Sequence, residues 1–277
     1  MSAQDLDAWY DFTGRVIVVP GGAGVLGGEM ACALVARGAN VVILDYKPAR
    51  AEQVKDRLAC GPGKAEVYYA DVLDRETLRE AARKVQAAFG RVDALINAAG
   101  GNSSRATTDA QNAFFDLPED ALRQVVDLNL FGAIFPSQVF GKMMAEQGQG
   151  VILNTSSMNA YRPLTRIPAY SAAKAALSNF TQWLAVYMAQ EFSPRIRVNA
   201  IAPGFFLTKQ NRYLLYNEES GQLTPRGRTI LEHTPLRRFG VPRDLLGTMF
   251  WLLSPASEFI TGAVIPVDGG FSAFGGV

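Results

Sequence analysis

The stretch VVPGGAGVLGGEMA, residues 18–31, decides the fold. It joins the apolar run RVIVV (15–19) to LGGEMACALVARGA (26–39), whose apolar residues recur with helical spacing. Its glycines read in two registers. Gly22, Gly24 and Gly27 spell GxGxxG, while Pro20 and Gly21 open a related motif with different spacing. Glycines at a strand-to-helix turn let the backbone bend tightly, admit a pyrophosphate and aim helix N-terminal amides at its charge. A glycine motif alone is weak, but a preceding buried strand and a following helix lift it above chance. Gly21, Gly22, Gly24, Leu26 and Gly27 are the candidate residues of this turn.

Further apolar, β-rich runs follow: NVVIL (40–44), EVYYA (66–70), ALIN (94–97), GVILNTS (150–156), RVNAIA (197–202) and AVIPVD (263–268). Runs apolar on both faces suit strands that helices cover on each side. Helical segments lie between them, including RETLREAARKVQAAFG (75–90), with Asp74 as N-cap and Gly90 as stop. This alternation predicts a single α/β domain over 1–277, a Rossmann-like, doubly wound, mostly parallel sheet of seven strands with helices on both faces. One long irregular region, about 205–240, interrupts the pattern and reads as a substrate-loop insertion.

Bulk composition narrows the function. Lys plus Arg total 27 against 26 Asp plus Glu, so no basic excess points to nucleic acid or an anionic membrane. The N-terminus MSAQDLDAWYDF lacks the pattern of a signal peptide, and no run is long and apolar enough to span a bilayer. The expectation is a soluble, cytoplasmic protein. Cys32 and Cys60 match no metal-ligand spacing and suit a reducing compartment. His233 is the only histidine, which argues against Ser-His hydrolysis and histidine-built metal sites; no metal is expected.

Two clusters carry chemistry. Asp45 ends the second apolar run, where a carboxylate can accept from both ribose hydroxyls of an adenosine and would repel a 2′-phosphate, which predicts NAD over NADP. Tyr170 and Lys174, spaced i and i+4, share one face if they begin a helix. A phenol of ordinary pKa ~10 needs roughly 4 kcal/mol of differential stabilisation to fall by about three units, and a nearby ammonium with a positive nicotinamide could supply it.

With these residues in place the chain resembles the short-chain dehydrogenase/reductase family over about residues 14–272. The resemblance rests on the glycine turn, NAAG (97–100), NLFG (129–132), Ser157, the YxxxK of Tyr170 and Lys174, and PGFFLT (203–208), in that order. It implies Tyr170 as general base in oxidation and general acid in reduction. It implies Lys174 as the group that lowers the Tyr170 pKa and bonds the nicotinamide ribose, Ser157 as holder of the substrate oxygen, and Asn129 as holder of a water linking Lys174 to solvent. Asn97 and Gly100 would support the sheet beside the cofactor, Asp71 and Val72 would contact adenine, and Pro203, Gly204, Phe206 and Thr208 would line the nicotinamide side. The chain departs from the family's TGxxxGxG at two positions, with Pro20 for threonine and Val25 for the middle glycine, so Gly24 is expected to supply the backbone freedom.

Within the family, INAAGGNSSRATTDAQ, the segment around Tyr170, APGFFLTKQNRYLL and VDGGFSAFGGV are similar to the D-mannonate oxidoreductase subgroup, which interconverts D-mannonate and D-fructuronate. Gluconate 5-dehydrogenase-like or other polyol and ketoacid reductases share the same catalytic residues, and a non-catalytic NAD-sensing module is the alternative of another class. A sugar acid needs donors and a cation, for which Asn102, Ser103, Asn159, Arg162, Lys209, Asn211 and Arg212 are candidates, with Arg162, Lys209 or Arg212 expected on the carboxylate. FTQWLAVYMAQEF (180–192) is apolar around much of its circumference, which predicts burial on two sides and, by the resemblance, a homotetramer.

Overall fold

A computed structural model describes residues 7–58, 61–208, 212–217 and 220–276. Its seven strands are β1 (Val16–Pro20), β2 (Asn40–Asp45), β3 (Ala65–Tyr69), β4 (Ala94–Asn97), β5 (Gly150–Thr155), β6 (Ile196–Pro203) and β7 (Val264–Val267). They form one sheet in the order β3-β2-β1-β4-β5-β6-β7, and every pairing is parallel. The sheet is therefore wholly parallel, where the sequence predicted a mostly parallel one.

Alternation along the strands explains the two helix layers. Ile17 and Val19 of β1, Val41 and Ile43 of β2 and Ile96 of β4 join one buried cluster, which includes Met30, Leu34 and Leu252. Val16 and Val18, Val42 and Leu44, and Leu95 join the other, with Leu78, Phe140 and Met144. Successive side chains point to opposite faces, so a strand apolar at every position must be covered twice. The chain winds from β1 outward to β3, then crosses back to place β4 on the other side of β1. That reversal opens a crevice at the carboxyl ends of β1 and β4.

Local chemistry sets the helix ends as expected. The helix Arg75–Phe89 begins where Asp74 Oδ1 accepts the Glu76 N–H at 2.8 Å. It ends at Gly90, whose φ of 71° is left-handed.

The long helix Pro168–Glu191 is covered on one side within the single chain. Thr181, Leu184, Ala185 and Met188 are buried, but Trp183, Val186, Tyr187 and Phe192 are exposed. Within the single chain this segment is therefore covered on one side, because the sheet presents only one face to it. The uncovered side carries a ladder of rings: Phe180 to Trp183 at 6.2 Å, Trp183 to Tyr187 at 5.0 Å, and Tyr187 to Phe192 at 5.6 Å between centroids.

The irregular region after β6 has its own order. It contains short helices at Arg212–Leu215 and Pro225–Glu232, and Phe206 bridges to Gly240. Leu215, Ile230 and Phe239 form a small buried cluster that holds these pieces together. Cys32 is half-buried, and Cys60 lies outside the described residues. Among the described residues no helix is long and apolar enough to cross a membrane.

Candidate active site

A cleft of about 710 Å³ lies along the carboxyl ends of the strands. Gly21, Gly24, Val25, Leu26 and Gly27 form part of its wall, as do Asp45, Asp71, Val72 and Gly100. Ser157, Asn159, Tyr170, Lys174, Pro203, Gly204, Phe206 and Thr208 line the rest of the predicted set. Residues far apart in sequence meet there because each follows a strand end.

The glycine turn is built for close approach. Gly21 has φ +76°, and a Cβ on it would lie 2.5 Å from the Ala99 nitrogen; one on Gly27 would lie 2.7 Å from the Gly21 oxygen. A side chain at either position would displace backbone. Two expectations need correction. Gly24 has φ −73° and ψ 171°, ordinary extended backbone, so the freedom the turn needs resides at Gly21 instead. Gly22 is buried and does not reach the cleft; its missing Cβ makes room for the Val19 oxygen, 2.8 Å from where it would sit, so Gly22 serves internal packing. Pro20 fits the end of a central strand because its carbonyl accepts the Ala98 N–H at 3.0 Å and the next N–H, from Gly21, bonds the Leu44 oxygen at 2.8 Å.

Asp45 is 7% exposed at the end of β2, and its Oδ1 accepts the Lys47 N–H at 2.9 Å. Arg50 lines the cleft with it. Sequence reading passed over Arg50, although its place in the first turn of the helix after β2 brings it back toward that strand's end.

Asn97 and Asn129 stand behind the wall rather than on it. Asn97 Nδ2 donates to Asn154 Oδ1 at 2.8 Å and Ser137 Oγ at 3.0 Å, and Asn154 in turn donates to Thr181 Oγ1 at 2.9 Å. This buried network ties β4 and β5 to two helices. Asn129 lies in a π-helical turn, Asp127–Phe131. Its Nδ2 donates to the Gly101 oxygen at 2.6 Å and its Oδ1 accepts the Gly101 N–H at 3.2 Å. A Cβ on Gly100 would lie 2.8 Å from Asn129 Oδ1 and 3.3 Å from Lys174 Nζ, so a side chain there would fill the space between the two groups.

Tyr170 has the Ser157 side chain close enough to act on its phenol, and the Lys174 ammonium lies 5.6 Å from the Tyr170 ring centre. Lys174 is 3% exposed and donates from Nζ to the Thr155 carbonyl at 2.7 Å. Burial lowers its pKa to about 7. The Tyr170 phenol is pushed up by burial, with the Ser157 side chain pulling it down.

The substrate candidates separate. Asn159 is 4% exposed, lines the cleft, and has no partner for its Oδ1. Asn102 also lines the cleft; Ser103 does not. Arg162 is exposed and donates to the Phe274 carbonyl at 3.2 Å, because the C-terminal segment passes beside it. Arg212 is exposed and sits 5.0 Å over the Tyr216 ring. Neither arginine lines the cleft. Lys209 and Asn211 lie outside the described residues. Another cation, Arg226, does line the cleft; sequence reading missed it because nothing in TPRGR (224–228) betrays which way the segment faces. His233 is exposed with Nδ1 against the Thr229 carbonyl, and no metal-binding cluster occurs among the described residues.

The family model described as Enoyl-(Acyl carrier protein) reductase matches residues 21–272. The uncharacterized oxidoreductase UxuB of Bacillus subtilis (strain 168) is 45% identical over 276 residues, which is 96% of this chain and 98% of its own. The crystal structure of a provisionally assigned D-mannonate oxidoreductase from Haemophilus influenza, with bound NAD, is 43% identical. It superposes with a TM-score of 0.91 over 98% of this chain and 100% of its own. The 7alpha-hydroxysteroid dehydrogenase of Escherichia coli (strain K12) is 30% identical over 257 residues, 93% of this chain and 94% of its own. Names as different as a sugar acid and a steroid fall within this similarity, so it carries the reaction class further than the substrate.

Proposed function

The chain belongs to the short-chain dehydrogenase/reductase family, and from that premise we propose that it is a cytoplasmic NAD-dependent oxidoreductase of a sugar acid, interconverting D-mannonate and D-fructuronate. The observation that carries the reaction class is the convergence of Ser157, Tyr170 and Lys174 in one cleft with the glycine turn and Asp45. The cleft fits the dinucleotide: Gly21 and Gly27 line it with bare backbone, packed so tightly against Ala99 and Gly21 that no side chain could stand there, and Asp45 suits an unphosphorylated ribose. When bound, NAD supplies a two-electron hydride acceptor that carries a positive charge.

The chain's own groups move and hold the proton. In oxidation Tyr170 takes the carbinol proton, and in reduction it returns one to the ketone oxygen. Ser157 holds the same oxygen and stabilises the charge that develops on it. Lys174, poised at about 7, can gain or lose a proton near neutrality at little cost. Asn129 holds Gly101 in place and, across the open space at Gly100, would hold the water through which Lys174 exchanges with solvent. Asp71 and Val72 would hold the adenine; Asn97 and Gly100 would support the wall; Pro203, Gly204, Phe206 and Thr208 would line the nicotinamide side.

The substrate reading draws on the resemblance of the loop wording, on the Haemophilus relative's name, and on the polar lining at Asn102 and Asn159. A panel of hexonates with NAD and hexuronates with NADH, followed at the reduced cofactor's absorbance, tests it. D-mannonate and D-fructuronate are expected to give kcat/KM at least tenfold above gluconate, 5-ketogluconate and neutral polyols. A higher value for any of these would replace the substrate.

The exposed ladder of Trp183, Tyr187 and Phe192 supports a homotetramer, since an apolar helix face of this kind is covered in a stable soluble assembly. Light scattering should give the mass of several chains, and Trp183→Lys with Tyr187→Glu should reduce it. A single-chain mass for the unaltered protein would overturn the assembly.

A further inference from the structure

Resting on the sugar-acid reading, we propose that Arg226 binds the substrate carboxylate and makes the enzyme select anionic substrates over neutral ones of the same carbon skeleton. Arg226 lies in the first turn of the helix Pro225–Glu232 and lines the cleft that holds Ser157, Asn159 and Tyr170. It is half-buried, and among the described residues no acid forms an ion pair with it. Other arginines of this chain are matched: Arg238 with Asp244, Arg105 with Asp120.

The surroundings of Arg226 favour an anion from several directions. Burial pushes its guanidinium below the usual arginine range, and the like charge of Arg166 pushes the same way. Both penalties fall when a carboxylate arrives beside Arg226. A cation in the first turn of a helix also opposes the helix dipole, and that turn contains no acidic residue. The acids that line the cleft are Asp45, which ends β2, and Asp71, which follows β3. The Arg226 segment descends from β6, on the opposite side of β1. The carboxylate is thus drawn to the end of the cleft away from the two acids.

Asn159 adds an independent sign of a polar ligand. Its side chain is buried, its oxygen is unpartnered, and it lines the same cleft. A buried amide without a partner is costly unless a ligand completes it. A hydroxylated chain ending in a carboxylate would meet Ser157 and Tyr170 with its reacting carbon, Asn159 with a hydroxyl, and Arg226 with its charged end. Arg226 offers paired donors to both carboxylate oxygens, which Lys would not.

The test compares the wild type, Arg226→Gln and Arg226→Lys in complex with NADH. Binding of D-gluconate, D-glucuronate, D-mannonate and simple 2-keto acids is measured by isothermal titration, beside D-fructose as the neutral probe. The expected result is about a 100-fold weaker carboxylate affinity for Arg226→Gln, and about tenfold for Arg226→Lys, with D-fructose and NADH affinities unchanged. In turnover the loss should fall on KM rather than kcat. Equal carboxylate affinity in the variants, or a wild type that binds no carboxylate, would overturn the proposal. A parallel loss of NADH affinity would assign Arg226 a structural role and overturn it too. Failure of the sugar-acid reading looks different: the wild type would bind a carboxylate through Arg226 yet reduce no hexuronate.

Discussion

Tyr170→Phe is expected to lower kcat by about 10³-fold or more while leaving NADH affinity within about threefold. The change removes one oxygen and keeps the ring of a side chain already packed against the Ala106, Ala121 and Val125 cluster. Positioned proton transfer contributes about 10²–10⁴-fold; the only histidine is exposed on the insertion, and Lys174 points its Nζ at the Thr155 carbonyl and not at Tyr170. Ser157 would keep its hydroxyl but lose its partner, so Tyr170→Phe with Ser157→Ala should cost little more than Tyr170→Phe alone, as expected for groups that act as a unit. Steady-state turnover together with quenching of NADH fluorescence measures both quantities. A kcat within tenfold of the wild type would remove Tyr170 from proton transfer.

What could be read from the sequence, and what could not, follows from the range of the forces involved. The strands were legible because most are runs of apolar, β-rich residues: RVIVV became Val16–Pro20 and NVVIL became Asn40–Asp45. The Asp74 cap and the Gly90 stop were legible for a similar reason, since a cap acts within a few residues of itself. Ser157, Tyr170 and Lys174 carry fixed spacing along one strand end and one helix, and they meet as that spacing requires. The directions of side chains in the insertion were not legible. Whether Arg162 or Arg226 faces the cleft depends on the Leu215, Ile230 and Phe239 cluster and on the C-terminal segment at Phe274, contacts between distant parts of the chain. The π-helical turn at Asn129 is equally silent in sequence, because it adds a residue to a turn without changing the apolar pattern. The electrostatics were half legible. The Tyr170 and Lys174 pairing was visible, but the burial that lowers the Lys174 pKa appears only once its neighbours are in place.

Lys174→Met should make the ligand-free protein more stable while lowering kcat by about 10³-fold, a combination that separates a functional lysine from a structural one. Lys174 is 3% exposed, its Nζ bonds a carbonyl, and no acid forms an ion pair with it among the described residues. Methionine has a similar length and no charge to desolvate. Replacing buried charge by apolar groups of similar volume commonly stabilises by about 1–4 kcal/mol, and in a large domain each kcal/mol raises Tm by roughly 2–4 °C. The effect carries its own pH signature. With a folded pKa of about 7 against roughly 10.4 unfolded, the unfolded chain binds a proton between those values that the native protein does not. Wild-type stability from this group therefore rises as pH goes from about 7 toward 10, and the full penalty is present at and below pH 7. The Tm advantage of Lys174→Met should be largest near pH 6.5 and shrink toward pH 10, at one fixed protein concentration because assembly also shifts Tm. An advantage that does not change with pH would mean that desolvation of the amine is not its source. A variant less stable than the wild type at every pH would mean that the Thr155 hydrogen bond and the lysine's packing outweigh the buried charge, and Lys174 would then belong to the fold first and to proton transfer second.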